Sequence, residues 1–231
     1  AENLFSPIDA VLSGSGSVTG TGFFSQNDCI VSGLWNPCTG APHATFFTAN
    51  VSVGNRKVVT VVLFPHQVEL LSHYWKYPGL INSGSWAIQL TNAKVLPEYV
   101  FSTNQKQHRR GYWIENTPFE VFARFCMISS VLGMVNGFYL KASQFANVQK
   151  ECFALNNDIQ SLMVLADSIA GKGDSVRFNH LTWIQKITKH FLNVCNSYAS
   201  LGLKVSEENS ELHIAFMDLL IGMKHPFVLR P

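Results

Sequence analysis

Two segments interleave cations with aromatic rings: His73-Tyr74-Trp75-Lys76-Tyr77 and Lys106-Gln107-His108-Arg109-Arg110-Gly111-Tyr112-Trp113. Cations hold phosphates and aromatic faces stack on unpaired bases. Lys106, His108, Arg109, Arg110, Tyr112 and Trp113 are therefore the candidate contacts for single-stranded nucleic acid. The plainer alternative is a solvated loop whose Tyr112 and Trp113 pack on the helix that follows. A net charge of +2 argues against wholesale electrostatic capture of nucleic acid. The other reactive side chains do not converge. None of the eight histidines forms an HxxxH pair, and the five cysteines (Cys29, Cys38, Cys126, Cys152, Cys195) show no CxxC or zinc spacing. No paired carboxylates stand at a spacing for acid–base work. The glycine-rich run Ser13–Gly22 has no helix directly after it to complete a phosphate cradle, and reads as a flexible connector or a strand edge. The sequence thus implies no catalytic residue, no metal and no cofactor.

The elements that would position these residues change character near Thr117. Before it, runs rich in β-branched and aromatic residues predict strands at Cys29–Leu34, Ala44–Val53, Arg56–Phe64, Trp86–Thr91 and Tyr99–Ser102. Gly54-Asn55 suits a tight turn with positive φ between the second and third. Lys57–Phe64 is too apolar for one solvated face and should be buried on both. Val68–Trp75 reads as a short helix. After the switch, Thr117-Pro118-Phe119-Glu120 is a capping-box signature. Apolar residues then recur at helical spacing over about 118–140, 144–170, 180–201 and 207–221, the last with Ser206 as its cap. The fold class is α+β, an N-terminal β-sheet or barrel-like region followed by a C-terminal four-helix bundle or cluster. The expected boundaries are 1–103 for the β-rich region, 104–116 for a basic/aromatic linker and 117–231 for the helices.

Charged residues make up only 14% of the chain, and residues 1–68 carry just Glu2, Asp9, Asp28, Arg56 and Lys57. Ordinary soluble domains carry about 25%. So sparse a charge is easiest to rationalise if copies of the chain cover one another. That points to a non-enzymatic, self-assembling structural protein. A viral coat or assembly protein that contacts single-stranded nucleic acid is its most concrete form. A small RNA- or host-factor-binding module is an alternative. Unpaired cysteine usage favours a reducing setting, intracellular or within a virion. The longest uncharged apolar run, Phe125–Leu140, is shorter than the roughly 20 residues that cross a bilayer, so no membrane span is expected.

Gly20-Thr21-Gly22-Phe23 followed by Ile30-Val31-Ser32, together with Ser85-Trp86-Ala87-Ile88, resembles the first barrel of chymotrypsin-like proteases. In that register Trp35 stands where the catalytic histidine would be and Ser85 where the aspartate would be. Gly173-Asp174-Ser175 resembles the nucleophile motif, but Val176 follows instead of glycine. The resemblance implies a divergent or degenerate hydrolase, since a serine without its base is not activated.

Overall fold

The computed structural model describes residues 9–25, 28–55, 57–102, 119–172, 179–202 and 210–229. The chain divides into two compact units, Ala1–Tyr77 with Ile81–Lys106, and Pro78–Leu80 with Gln107–Pro231. The fold is α+β.

The β unit is one seven-stranded sheet. Its strands are β1 (Leu12–Ser25), β2 (Asp28–Cys38), β3 (Phe46–Val53), β4 (Lys57–Leu63), β5 (Glu69–Leu71), β6 (Trp86–Val95) and β7 (Val100–Phe101), in the spatial order β5-β6-β2-β1-β3-β4-β7. β1 and β3 pair in parallel and every other neighbour is antiparallel. Gly54 and Asn55 both have positive φ, as expected. Val53 opposes Lys57, however, so the loop holds three residues rather than two. β3 alternates buried and half-buried residues, whereas Val59–Leu63 of β4 are buried throughout, which accounts for a run that is apolar but for Thr60.

The glycine-rich run is neither a connector nor an edge. It forms the centre of the sheet. Trp35 on β2 is completely buried, and its indole lies where side chains at Gly20 and Gly33 would stand. A Cβ at Gly33 would come within 2.8 Å of the ring, and one at Gly20 would strike it. Small residues on β1 are the space that Trp35 fills. The indole N–H donates to the Asn50 carbonyl at 2.9 Å. β1 is irregular between Ser15 and Gly20. There the Gly16 carbonyl accepts from the Asn50 amide, whose oxygen in turn accepts from Thr60. The Asn50 side chain is therefore engaged inside the sheet.

The expected helix over Val68–Trp75 is instead strand β5 and one 3-10 turn, Ser72–Tyr74. Pairing of Glu69–Leu71 with Ala87–Gln89 overrides the local pattern. The sheet ends at β5 and β7 and is open, which removes the protease-barrel reading. Trp35 is a core plug, and Ser85 a buried hydroxyl.

The helical unit comprises α1 (Phe119–Ala142), α2 (Gln149–Lys172), α3 (His180–Ser200), α4 (Glu211–Gly222) and the single turn α5 (Pro226–Leu229). α1 buries Ile128, Val131, Leu132, Val135, Phe138, Tyr139 and Ala142 at helical spacing, with Trp183, Ile187, Val194, Leu212 and Leu219 in the same core. The buried stripe begins at Ile128, and Phe122 is only half-buried. By length and composition α1 could cross a membrane, which the 16-residue apolar run alone did not suggest. Asn179 caps α3 by accepting the Thr182 N–H, and Ser210 caps α4 by accepting the His213 N–H. Thr117, Pro118, Ser206 and Gly173-Asp174-Ser175 lie outside the described residues.

Candidate functional site

In the β unit, side-chain hydroxyls from three parts of the chain meet at one corner. Ser13 of β1 donates to the Thr39 carbonyl at 2.8 Å. The Thr39 hydroxyl lies 3.0 Å from that of Ser85, which lies 2.7 Å from that of Ser83. Local backbone explains why they converge. Gly40 and Gly84 take φ of 74° and 60°, conformations that favour glycine. Those turns let the Gly40 N–H reach the Ser83 carbonyl and the Ala41 N–H reach the Gly84 carbonyl. Ser13 and Ser85 are buried, while Thr39 is exposed at the mouth. Beside Gly40, the space a Cβ would occupy has no atom within 4 Å. Trp86, half-buried, follows Ser85 directly and pairs with Cys38 across β2 and β6. The Cys38 thiol donates to the Trp35 carbonyl, and burial pushes its pKa up to about 12, so it is no nucleophile. In the segment leading to this corner, Trp75 and Tyr77 stand edge to face at 5.1 Å. The corner is therefore neutral and rich in hydroxyls, with open space beside it.

The helical unit has a different constellation. Asp158 of α2 accepts from Lys186 at 2.7 Å and from His190 Nε2 at 2.9 Å, both on α3. Burial alone would raise the Asp158 pKa. The bonds and charges of Lys186 and His190 outweigh it and hold the carboxyl below its usual value. Among the described residues His190 Nδ1 and the Tyr139 hydroxyl are buried without a hydrogen-bond partner, and burial pushes the Tyr139 phenol up. Tyr198 stacks on Phe216 with ring centroids 4.1 Å apart, its hydroxyl 2.6 Å from His213 Nδ1. After α4, burial holds the His225 imidazole below the ordinary histidine value, and so neutral. Among the described residues no group of three or more His, Cys, Asp or Glu could hold a metal.

Lys106, His108, Arg109, Arg110, Tyr112 and Trp113 lie outside the described residues, as does the linker 104–116. Of the other basic/aromatic segment, the His73 and Tyr74 rings lie 4.7 Å apart and Lys76 is exposed. Sequence reasoning missed the hydroxyl corner. Its only signals were Thr39-Gly40 and Gly84-Ser85, two ordinary turn dipeptides that nothing local connects.

No family model and no curated protein matches the sequence. Solved structures do. The HsaA monooxygenase of M. tuberculosis superposes with a TM-score of 0.83 at 15% identity, covering 98% of this chain and 70% of that one. The methanesulfinate monooxygenase MsuC of Pseudomonas fluorescens gives 0.77 at 12% identity, over 99% and 70%. XiaF of Streptomyces sp., solved with FADH2 and glycerol, gives 0.69 at 14% identity, over 98% and 67%. These likenesses establish the fold. They also correct the reading of the chain as a coat, capsid or RNA-binding protein. That reading rested on sparse charge, and the solved structures that share the sheet-then-bundle architecture are monooxygenases instead. The virion setting and the degenerate-protease alternative fall with it. Sparse charge misled because polar demand in this sheet is met by hydroxyls and amides.

Proposed function

We propose that this protein is an intracellular flavin-dependent oxidoreductase of the monooxygenase type, with the hydroxyl corner of the β unit as part of its flavin site. The observation that carries the reading is the match to a monooxygenase across nearly the whole chain. The corner fits such a ligand. A flavin ring presents carbonyls, ring nitrogens and an imide N–H along one edge, and needs flat, largely apolar walls. Thr39, Ser83 and Ser85 offer neutral groups that both donate and accept. Gly40 leaves open space beside the hydroxyls. When bound, dihydroflavin with O2 supplies one oxygen atom to the substrate, yielding hydroxylated product, water and oxidised flavin.

The chain's own groups do the rest. The Thr39 and Ser85 hydroxyls orient the ring edge, and the high Cys38 pKa keeps a competing thiolate out of the corner. Titration of the purified chain with FMN and FAD, each oxidised and reduced under anaerobic conditions, tests the reading by quenching of flavin or tryptophan fluorescence. Saturable binding of at least one form is expected, weakened by Ser85→Val and Thr39→Val. Failure to bind any of the four overturns the proposal.

A further inference from the structure

Ser13 belongs to the hydroxyl corner but is buried, so it is not a group that a ligand meets. Its strand is firmly seated. The Thr45 and Phe46 N–H groups both donate to the Val11 carbonyl, at 2.9 and 3.3 Å, and Ser13 pairs with Phe47 in the β1–β3 ladder. Gly14 then lies so close to β3 that a Cβ there would strike the Thr48 carbonyl. From this fixed base the Ser13 hydroxyl donates to the Thr39 carbonyl at 2.8 Å. No backbone N–H among the described residues reaches that carbonyl. The same peptide group is held at its other end, where the Gly40 N–H donates to the Ser83 carbonyl at 3.0 Å. Both ends of the Thr39–Gly40 peptide plane are therefore clamped. Unclamped, a peptide that precedes glycine turns over easily, because glycine accepts φ of either sign.

We propose that Ser13 is a positioning residue for the flavin corner: its hydroxyl locks the Thr39–Gly40 peptide and so keeps the Thr39 hydroxyl facing Ser85. Ser13 acts through the peptide and touches no reacting atom. The proposal rests on the flavin reading above, and every residue in it lies within the β unit. Without the serine hydroxyl the Thr39 carbonyl loses its donor, and the peptide is free to rotate on its glycine side. Rotation withdraws the Gly40 N–H from Ser83. That bond and the one from Ala41 to Gly84 draw the Thr39 and Ser85 segments together. With one of them gone, the 3.0 Å spacing of the Thr39 and Ser85 hydroxyls loses a constraint. A ring edge must then order the groups it binds, and that ordering costs affinity.

The test uses the full chain as wild type, Ser13→Ala, Ser13→Thr and Ser13→Val, read by FMN and FAD titration and by amide hydrogen exchange at Gly40. Ser13→Ala should weaken flavin binding by about fivefold, the fold-change of one neutral hydrogen bond. It should also speed exchange at Gly40 while the rest of the sheet keeps its protection. Threonine and valine share a shape and differ in the hydroxyl, so the cost of the added methyl cancels between them. Ser13→Thr should therefore bind flavin about fivefold more tightly than Ser13→Val. A merely structural serine would show no such difference. Should neither branched variant fold, Ser13→Ala decides alone. Where the wild type binds flavin, unchanged affinity in Ser13→Ala, or equal affinity in the threonine and valine variants, overturns this proposal and leaves the function reading standing. Protection lost throughout the sheet in Ser13→Ala also overturns it, since the serine would then hold the strands rather than the peptide. If the wild type binds no flavin, the function reading fails. The clamp is then judged at Gly40 alone, and an exchange rate unchanged in Ser13→Ala overturns it.

Discussion

Among the described residues of the β unit the buried polar side chains are Ser13, Thr60 and Ser85, all uncharged and all satisfied by other hydroxyls, an amide or a carbonyl. Among those of the helical unit the buried polar side chain is His190, and a carboxylate and an ammonium group meet beside it. The Arg124–Glu120 and Lys141–Glu211 pairs also lie in that unit. Neutral networks have no titrating member, so the sheet's polar bonds should be indifferent to pH. The helical unit is tuned by charge. Under the proposed function, the ring-binding corner keeps its hydrogen bonds across conditions that disturb the bundle.

The largest test of the contrast is the neutral core itself. Trp35→Ala should destabilise the β unit by about 3–5 kcal/mol, read as lost exchange protection in sheet peptides. A cost under about 1 kcal/mol would mean the indole does not organise the sheet. Asp158→Ala should cost about 1–3 kcal/mol, confined to helical peptides, because it strands His190 and Lys186. Equal loss in both units would break the comparison.

Acid should reproduce a part of that effect. The folded Asp158 pKa is depressed, so its contribution is complete above the unfolded value of about 3.9 and disappears as pH falls through the lower folded value. Below about pH 4 the bundle should loosen before the sheet, as followed by exchange or by near-ultraviolet dichroism. A sheet that loosens first would contradict the assignment. Ser210→Ala should cost about 1 kcal/mol, localised to the first turn of α4. Glu211→Gln should leave the unfolding midpoint unchanged, because its carboxylate is solvent-exposed. A measurable shift there would show that surface charge, too, sustains the bundle.

Elements governed by local chemistry were legible in the sequence. The β3–β4 hairpin follows from Gly54-Asn55 between two β-branched runs, and α3 begins at His180 as its apolar spacing predicts. Features set by distant partners were not. Glycine disfavours strands locally, so Ser13–Gly22 reads as a connector until Trp35 is seen to need the space. β2 was expected to stop at Leu34, yet it continues through Asn36-Pro37 to Cys38, which finds Trp86 on β6. The candidate site was the least legible part. Ser13, Thr39, Ser83 and Ser85 come from three places in the chain, and hydroxyls in turns carry no pattern that distinguishes a site from a loop.

The parallel pairing of β1 with β3 has a consequence for how the chain folds. The β1–β2 and β3–β4 hairpins each close over short loops, but the ladder that joins them links Leu12 to Phe46 and cannot form by simple reversal. The β2–β6 ladder joins Ile30 to Lys94, a still longer closure. Contacts of such sequence separation are slow to form, because loop entropy is lost before they contribute. During synthesis the edge of β2 must therefore stay bare until β6 has left the ribosome. For that interval it is a template for another chain, which makes the nascent sheet a natural client for a chaperone.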